Sequence, residues 1–108
     1  MLNNSRTKNL WPKDTREARE IQDALRKRVK ILPLKKAPLH VAGVDAAFTG
    51  NEVIAVSSLY TFPSLECVQD AVWREEIRFP YVPGLLTFRE GHAMINALKR
   101  LRIPADVI

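Results

Sequence analysis

Asp45 is the residue whose type and position most clearly suggest chemistry. It stands in the middle of an apolar run, HVAGVDAAF (40–48), that is typical of a β-strand. Alternation along the strand puts Asp45 on one face with Val41, Gly43 and Ala47. An ionised carboxylate on an apolar strand is costly to bury unless it is paired or binds a metal ion. A salt bridge to a Lys or Arg, or exposure to water at a strand end, is the alternative interpretation.

Glu90 is the second candidate, in the motif FREGH near the start of a predicted helix. It follows Thr87 by three residues, which is the spacing of a capping box, so a backbone role is one interpretation. The other is a metal site shared with Asp45. Two carboxylates from separate elements can bind a hard divalent cation such as Mg²⁺ through their oxygens, with water completing the coordination.

The loop FPYVPG (79–84) is the third candidate, because it holds Tyr81 close to two prolines. A side chain on such a restrained backbone loses little entropy when it inserts between other groups. A rigid aromatic tip suits a wedge between stacked bases, where unstacking costs a few kcal/mol. The alternative is a tight structural turn with Tyr81 packed on the body of the protein.

The remaining reactive residue types give weaker signals. His40 and His92 have no partner at zinc-ligand spacing, and the single cysteine makes a zinc site implausible. We interpret both histidines as structural or surface residues. Cys67 lacks a catalytic signature and is predicted to be a core residue.

The elements that must position these residues follow from hydrophobic spacing and from breakers. Residues 1–14 are predicted to be a flexible tail, and residues 15–108 to form one domain. Asp14 and Glu17 have capping-box spacing, and the helix that follows is predicted to end near Ile31, before Pro33. The later elements are predicted as strands at 40–48, 52–60 and 65–79, a helix at 85–101, and the start of a fourth strand at 103–108. The charges of residues 65–79 also suit a helix, which is the alternative for that segment.

The order of these elements predicts the fold class. A turn at Gly50-Asn51 makes the first two strands a hairpin, and the third strand is expected to carry a bulge around Arg74 to Glu76. A crossover helix and a parallel strand then give a mixed α/β sheet. The fourth strand reaches Ile108 almost as soon as it starts, so we expect an incomplete sheet.

Charge is distributed unevenly along the 108 residues, whose net charge is +5. Residues 1–38 carry eleven basic and four acidic residues, whereas residues 39–108 carry six and eight. A basic arm beside a slightly acidic body often binds a polyanion, most commonly nucleic acid, although a solvated basic helix without a partner has the same composition. No apolar stretch is long enough to span a membrane and the first ten residues are polar, which predicts a cytoplasmic protein.

Three segments taken together resemble the endonuclease V family: VAGVDAAF, the FPSLE that follows the second strand, and FPYVPGLLTFREG. The last segment is the most specific, because a proline-flanked aromatic is followed at a fixed distance by FREG. The resemblance covers roughly residues 15–108 and implies a ribonuclease H-like fold.

The resemblance also implies an activity and roles for the candidate residues. Family members are Mg²⁺- or Mn²⁺-dependent nucleases that cut DNA 3′ to deoxyinosine, and some act on inosine in RNA. By motif position, Asp45 and Glu90 are the catalytic metal ligands of this resemblance. Pro80, Tyr81, Val82 and Pro83 correspond to the wedge, and Gly84 and Leu85 to the pocket for the flipped base.

Two departures from the family pattern matter. His92 stands where the family usually has proline. The family's third metal carboxylate lies on the fourth strand in a V-D-G motif, beyond Ile108, and Asp106 is too early to be that residue. We therefore expect weak Mg²⁺ binding, little activity from this chain alone, and a second chain as one way to complete the sheet. The alternative function is a non-catalytic nucleic-acid-binding module that uses the basic N-terminal helix.

Overall fold

The computed structural model describes residues 11–108, which form a three-stranded sheet, a helix packed on it and a second helix beside that one. The elements in chain order are α1 (Thr15–Arg26), β1 (His40–Thr49), β2 (Glu52–Thr61), β3 (Cys67–Glu76) and α2 (Leu86–Lys99). The strands are antiparallel in the order β1-β2-β3. After α2, Val107 forms a parallel bridge with Val41, which makes the sheet mixed and confirms the predicted fold class.

The hairpin of β1 and β2 sets the register that places Asp45. Gly50 occupies the first position of the two-residue turn with φ 56°, a conformation that favours glycine. Asp45 then lies opposite Val56. The bulge predicted around Arg74 to Glu76 is wrong: the register shift falls between Leu59 and Tyr60, at the other end of β3.

Helix α2 packs on one face of the sheet through small side chains. Ala55 of β2 and Ala93 and Ala97 of α2 are fully buried, and Val53 is nearly so. Small residues let the helix approach the strands closely, and Val53 fills the remaining space. This packing fixes the start of α2, which carries Glu90, relative to β1, which carries Asp45.

Ser57 is the one buried polar residue of this interface, and its hydroxyl donates to the carbonyl of Ala97 at 2.7 Å. We expect Ser57→Ala to lower the free energy of unfolding by about 1 kcal/mol, because the carbonyl loses a buried donor. Ser58→Ala is the matched control, since Ser58 bonds Asp70 outside the core, and we expect a change of about 0.5 kcal/mol or less. Urea denaturation of both variants measures this difference, and equal losses would contradict it.

Helix α1 is shorter than predicted and is not basic. It begins at the predicted N-cap, where Asp14 accepts from the Glu17 backbone N–H at 2.8 Å, but it ends at Arg26 rather than near Ile31. Only Ala18 is buried and Leu25 is 47% exposed, so its second half lacks the packing that sustains a helix. Its three arginines are balanced by three acids. Most of the excess positive charge lies in the segment after the helix.

The C-terminal residues are tied to the start of β1. The Asp106 carboxylate accepts from the backbone N–H groups of Leu39 at 2.8 Å and His40 at 3.0 Å. The two hydrogen bonds outweigh slight burial and lower the pKa of Asp106. Asp106 therefore has a structural role, as expected from its early position in the strand.

The predicted tail divides at the limit of the described residues. Residues 1–10 lie outside them. Within residues 11–14, Trp11 donates to the Phe88 carbonyl at 3.1 Å and Pro12 is buried, so this part of the predicted tail contacts the body of the protein. In residues 11–108, no helix is long and apolar enough to cross a membrane.

Candidate metal and nucleic-acid site

Asp45 lies on the face of the sheet that α2 does not cover. Its neighbours Val44 and Ala46 are partly buried toward the helix, whereas Asp45 is exposed. One carboxylate oxygen accepts from the Ala46 backbone N–H at 2.8 Å. Among residues 11–108 it forms no ion pair, so the salt-bridge interpretation finds no support there.

Glu90 is the fifth residue of α2 and is partly buried. The helix begins at Leu86, with Leu85 at the N-cap and no side-chain cap hydrogen bond. The capping box predicted for Thr87 and Glu90 is therefore absent, because both residues already lie inside the helix. Glu90 keeps its carboxylate free of that backbone role.

The two predicted carboxylates interact electrostatically in the structure. Burial raises the pKa of Glu90, and the negative charge of Asp45 raises it further. Two neighbouring carboxylates repel each other unless a cation or a shared proton relieves the charge. Oxygen donors of this kind fit a hard divalent cation, so Asp45 and Glu90 would hold Mg²⁺ or Mn²⁺. Within residues 11–108, no group of three or more His, Cys, Asp or Glu side chains forms a larger cluster.

The loop between β3 and α2 presents Tyr81 to solvent. Tyr81 is 69% exposed, and Pro80 and Pro83 beside it are exposed as well. The alternative in which Tyr81 packs on the body is therefore excluded. Val82 is half-buried and packs against the core at the base of the loop, so the exposed tip has an anchored base.

The two predicted pocket residues differ in their surroundings. Gly84 is exposed, with φ 84°, and nothing lies within 4 Å of where a Cβ would stand. Leu85 is 2% exposed and packs with Ala18, Phe79 and Phe88. Its side chain belongs to the core beneath the loop, and its role in a pocket for a flipped base stays a prediction.

Two contacts that the sequence did not suggest support this loop. The side-chain amide of Gln22 on α1 donates to the Gly84 carbonyl at 2.9 Å. Arg89 donates to the Phe79 carbonyl at 3.1 Å and lies 4.7 Å above the ring of Phe48, at the end of β1. Arg89 could have been noticed as the neighbour of Glu90 in FREG, whereas no sequence signal links Gln22 to residue 84.

A polar network behind α2 holds the helix against β3. The Glu75 carboxylate contacts His92 Nδ1 at 2.8 Å and accepts from Trp73 at 2.8 Å and Arg78 at 2.8 Å. Trp11 packs edge-on against the His92 ring, 5.3 Å between centroids. His92 is thus a structural residue, as predicted. The bulge predicted around Arg74 to Glu76 is absent, because β3 pairs regularly with β2 through Glu75.

The Glu75 network predicts a pH dependence of stability. Burial alone would raise the pKa of Glu75, but hydrogen bonds from His92, Trp73 and Arg78 outweigh it and lower the pKa. A carboxylate with a lowered folded-state pKa stabilises the fold above its unfolded pKa, and this contribution is lost as the pH falls through the folded value. We expect the melting temperature to fall on acidification below about pH 4.

Glu75→Gln should flatten that acid dependence, whereas Glu66→Gln, an exposed acid before β3, should leave it unchanged. Thermal unfolding followed by circular dichroism between neutral pH and pH 3 measures both. An unchanged acid slope in Glu75→Gln would contradict the assignment.

The remaining predicted residues lie away from the carboxylates. His40 begins β1 and is partly buried beside Asp106, in agreement with a structural role. Cys67 is exposed, which corrects the prediction that it is a core residue. The reason is its position at the start of β3, an outer strand whose end neither helix covers.

This fold defines a class, because the solved structures that superpose on it are ribonuclease H-like endonucleases. An endonuclease V from Streptomyces avermitilis superposes with a TM-score of 0.82 at 37% identity, over 90% of this chain and 45% of that one. The model of the family described as Endonuclease V matches residues 23–108. The chain belongs to the Endonuclease V family.

Further relatives agree with this assignment. The endonuclease V of Roseiflexus castenholzii is 44% identical over 98 residues, which cover 91% of this chain and 44% of that protein. The endonuclease V of Ciona intestinalis, crystallised with a 24mer DNA containing an inosine, has a TM-score of 0.67 at 20% identity, over 78% of this chain and 38% of that one, and shows the fold alone. The chain spans slightly less than half the length of the relatives it matches.

Proposed function

We propose that this chain supplies the metal-binding and base-recognition half of an endonuclease that cuts DNA 3′ to deoxyinosine in nucleic-acid repair, with inosine-containing RNA as the alternative substrate. The observation that carries the proposal is the electrostatic interaction of Asp45 with Glu90, whose pKa is raised by burial and raised further by the Asp45 charge. Family membership and the inosine-containing DNA bound by the Ciona relative support it.

In this proposal the carboxylates of Asp45 and Glu90 hold Mg²⁺, or Mn²⁺, beside the phosphate to be cut. The bound cation would lower the pKa of a water and offset negative charge at the phosphate. Asp45 contributes a carboxylate oriented by its bond with the Ala46 backbone. Glu90 contributes one from a helix that the Glu75 network and the alanine interface keep in place.

In this proposal the loop at 79–84 recognises the inosine-containing nucleic acid. Pro80, Tyr81, Val82 and Pro83 would enter the stack and fill the space left by a flipped nucleotide, which offsets the cost of unstacking. Gly84 has no side chain to obstruct the approach of the base, and its carbonyl is engaged by Gln22. Leu85 would act from beneath, by fixing the base of the loop.

We propose a further polypeptide segment as a partner that completes the sheet. Val56 and Val72, neighbours on the face that α2 leaves uncovered, are 39% and 47% exposed. The relatives have roughly twice the length of this chain, so a second half of similar size would cover this face. The third carboxylate expected of the family would come from that segment.

The experiment that tests the function compares duplexes carrying inosine or guanine at one position, with Mg²⁺ or Mn²⁺. The chain is assayed alone and joined to the C-terminal half of the Roseiflexus relative. We expect inosine-dependent cutting by the joined protein, and inosine-preferring binding with little cutting by the chain alone. The proposal fails if the joined protein shows no preference for inosine under conditions in which the Roseiflexus relative does prefer it.

A further inference from the structure

The segment that follows α1 carries a run of positive charge that is not part of the proposed site. Its five basic residues are exposed, and no acidic residue lies between Asp23 and Asp45. We name residues 27–36 the basic strap; its charged members are Lys27, Arg28, Lys30, Lys35 and Lys36.

The strap lacks the acidic partners that four arginines elsewhere in the chain have. Arg16, Arg26, Arg74 and Arg78 each form an ion pair with a neighbouring acid. Among residues 11–108, no strap side chain forms an ion pair or a hydrogen bond. Lys36 alone has a local effect, since its charge helps to lower the pKa of Asp106. The positive charge of the strap is therefore open to an external anion.

The strap begins close to the loop at 79–84, to which the proposed function assigns base recognition. Gln22 contacts the Gly84 carbonyl, and Lys27 follows it by five residues, about 7–8 Å along a helix axis. The backbone hydrogen bond from Arg28 to Leu25 at 2.9 Å continues the turn, so Lys27 and Arg28 keep this position. The rise along one DNA strand is about 3.4 Å per nucleotide, so this distance corresponds to about two nucleotides.

We propose that the basic strap is a phosphate-binding surface that holds the nucleic-acid backbone about two nucleotides from the loop at 79–84. This inference rests on the proposed function and adds a second contact zone to it. Lysine and arginine side chains bind phosphate without reading bases, so the strap supplies affinity and register, while Tyr81 and Gly84 supply the preference for inosine.

The test measures duplex binding by the 108-residue chain as a function of salt. Lys27→Gln combined with Lys30→Gln should reduce the slope of log K against log salt by about 2, since each phosphate contact contributes about 0.9. The loss should be equal for inosine-containing and inosine-free duplexes. Arg16→Gln combined with Arg74→Gln is the matched control: it removes the same charge from paired residues and should change the slope by less than half as much.

Lysine acetylation of the unaltered chain gives a second measurement that does not depend on variants. Lys27 and Lys30 should be protected when duplex is bound, whereas Lys99 on α2 should react equally with and without DNA. Equal slopes for the two double variants, absent protection of Lys27 and Lys30, or protection of these lysines only by anionic phosphatidylserine vesicles would overturn the proposal. A reduced slope without any preference for inosine would instead uphold the strap and refute the proposed function.

Discussion

Asp45→Asn in the chain joined to the C-terminal half of the Roseiflexus relative is expected to reduce cutting of an inosine-containing duplex on the order of 10³-fold, because a metal ligand contributes several kcal/mol to the transition state. Binding of the duplex should not weaken, since the substitution removes a negative charge from a site that faces phosphate in the proposal. Glu90→Gln should have a comparable effect, because in the proposed site the two carboxylates share one ion.

The matched control for Asp45→Asn is Asp70→Asn, because Asp70 is an exposed aspartate on the same face of the sheet whose partners within residues 11–108 are Ser58 and Cys67. Both substitutions remove one negative charge, so general electrostatics affect them equally. Single-turnover cutting, Mn²⁺ binding followed by electron paramagnetic resonance, and urea denaturation separate chemistry from folding. Cutting retained in Asp45→Asn would remove this residue from the metal site.

Tyr81→Ala is expected to weaken the preference for an inosine-containing duplex. A stacked aromatic contributes about 1–3 kcal/mol per base, which corresponds to roughly 5- to 150-fold in affinity. Tyr81→Phe should keep most of the preference, because the ring rather than the hydroxyl fills the stack. Stability should be unaffected, since Tyr81 is 69% exposed.

Phe62→Ala provides the comparison for Tyr81→Ala, because Phe62 is an exposed aromatic beside a proline in a different turn. We expect it to bind both duplexes as the unaltered chain does. Fluorescence anisotropy with labelled inosine and guanine duplexes measures the ratio of affinities. An equal loss on both duplexes would mean that Tyr81 contributes general affinity and does not act as a wedge.

The local features of the site were predictable from the sequence because they depend on short-range patterns. Period-two alternation located Asp45 on one strand face, and the breakers around Tyr81 located an exposed loop. The electrostatic interaction of Asp45 with Glu90 needed one further assumption, that α2 crosses back over the hairpin. The right-handed crossover rule and the resemblance to a known family both supplied it.

Features that depend on packing between distant segments were not predictable. Leu85 is buried because α1 lies against it, and nothing in residues 79–85 indicates that. Helix α1 ends at Arg26 because Leu25 is 47% exposed and lacks the packing that would sustain the helix, although the hydrophobic spacing continues to Val29. The contact between Glu75 and His92 joins residues seventeen positions apart, a pairing that only the register of β3 decides.

The contact of α1 with the loop at 79–84 also indicates where the folding unit starts. The family model matches only from residue 23, yet Ala18 and Ile21 cover Phe79, Leu85 and Phe88. The family model therefore begins inside the part of the chain that supports the loop, although the match to the Roseiflexus relative covers 98 residues and includes α1. A version trimmed to the region of the family model would lose this support and leave three large apolar side chains exposed to water, so a minimal version must retain α1.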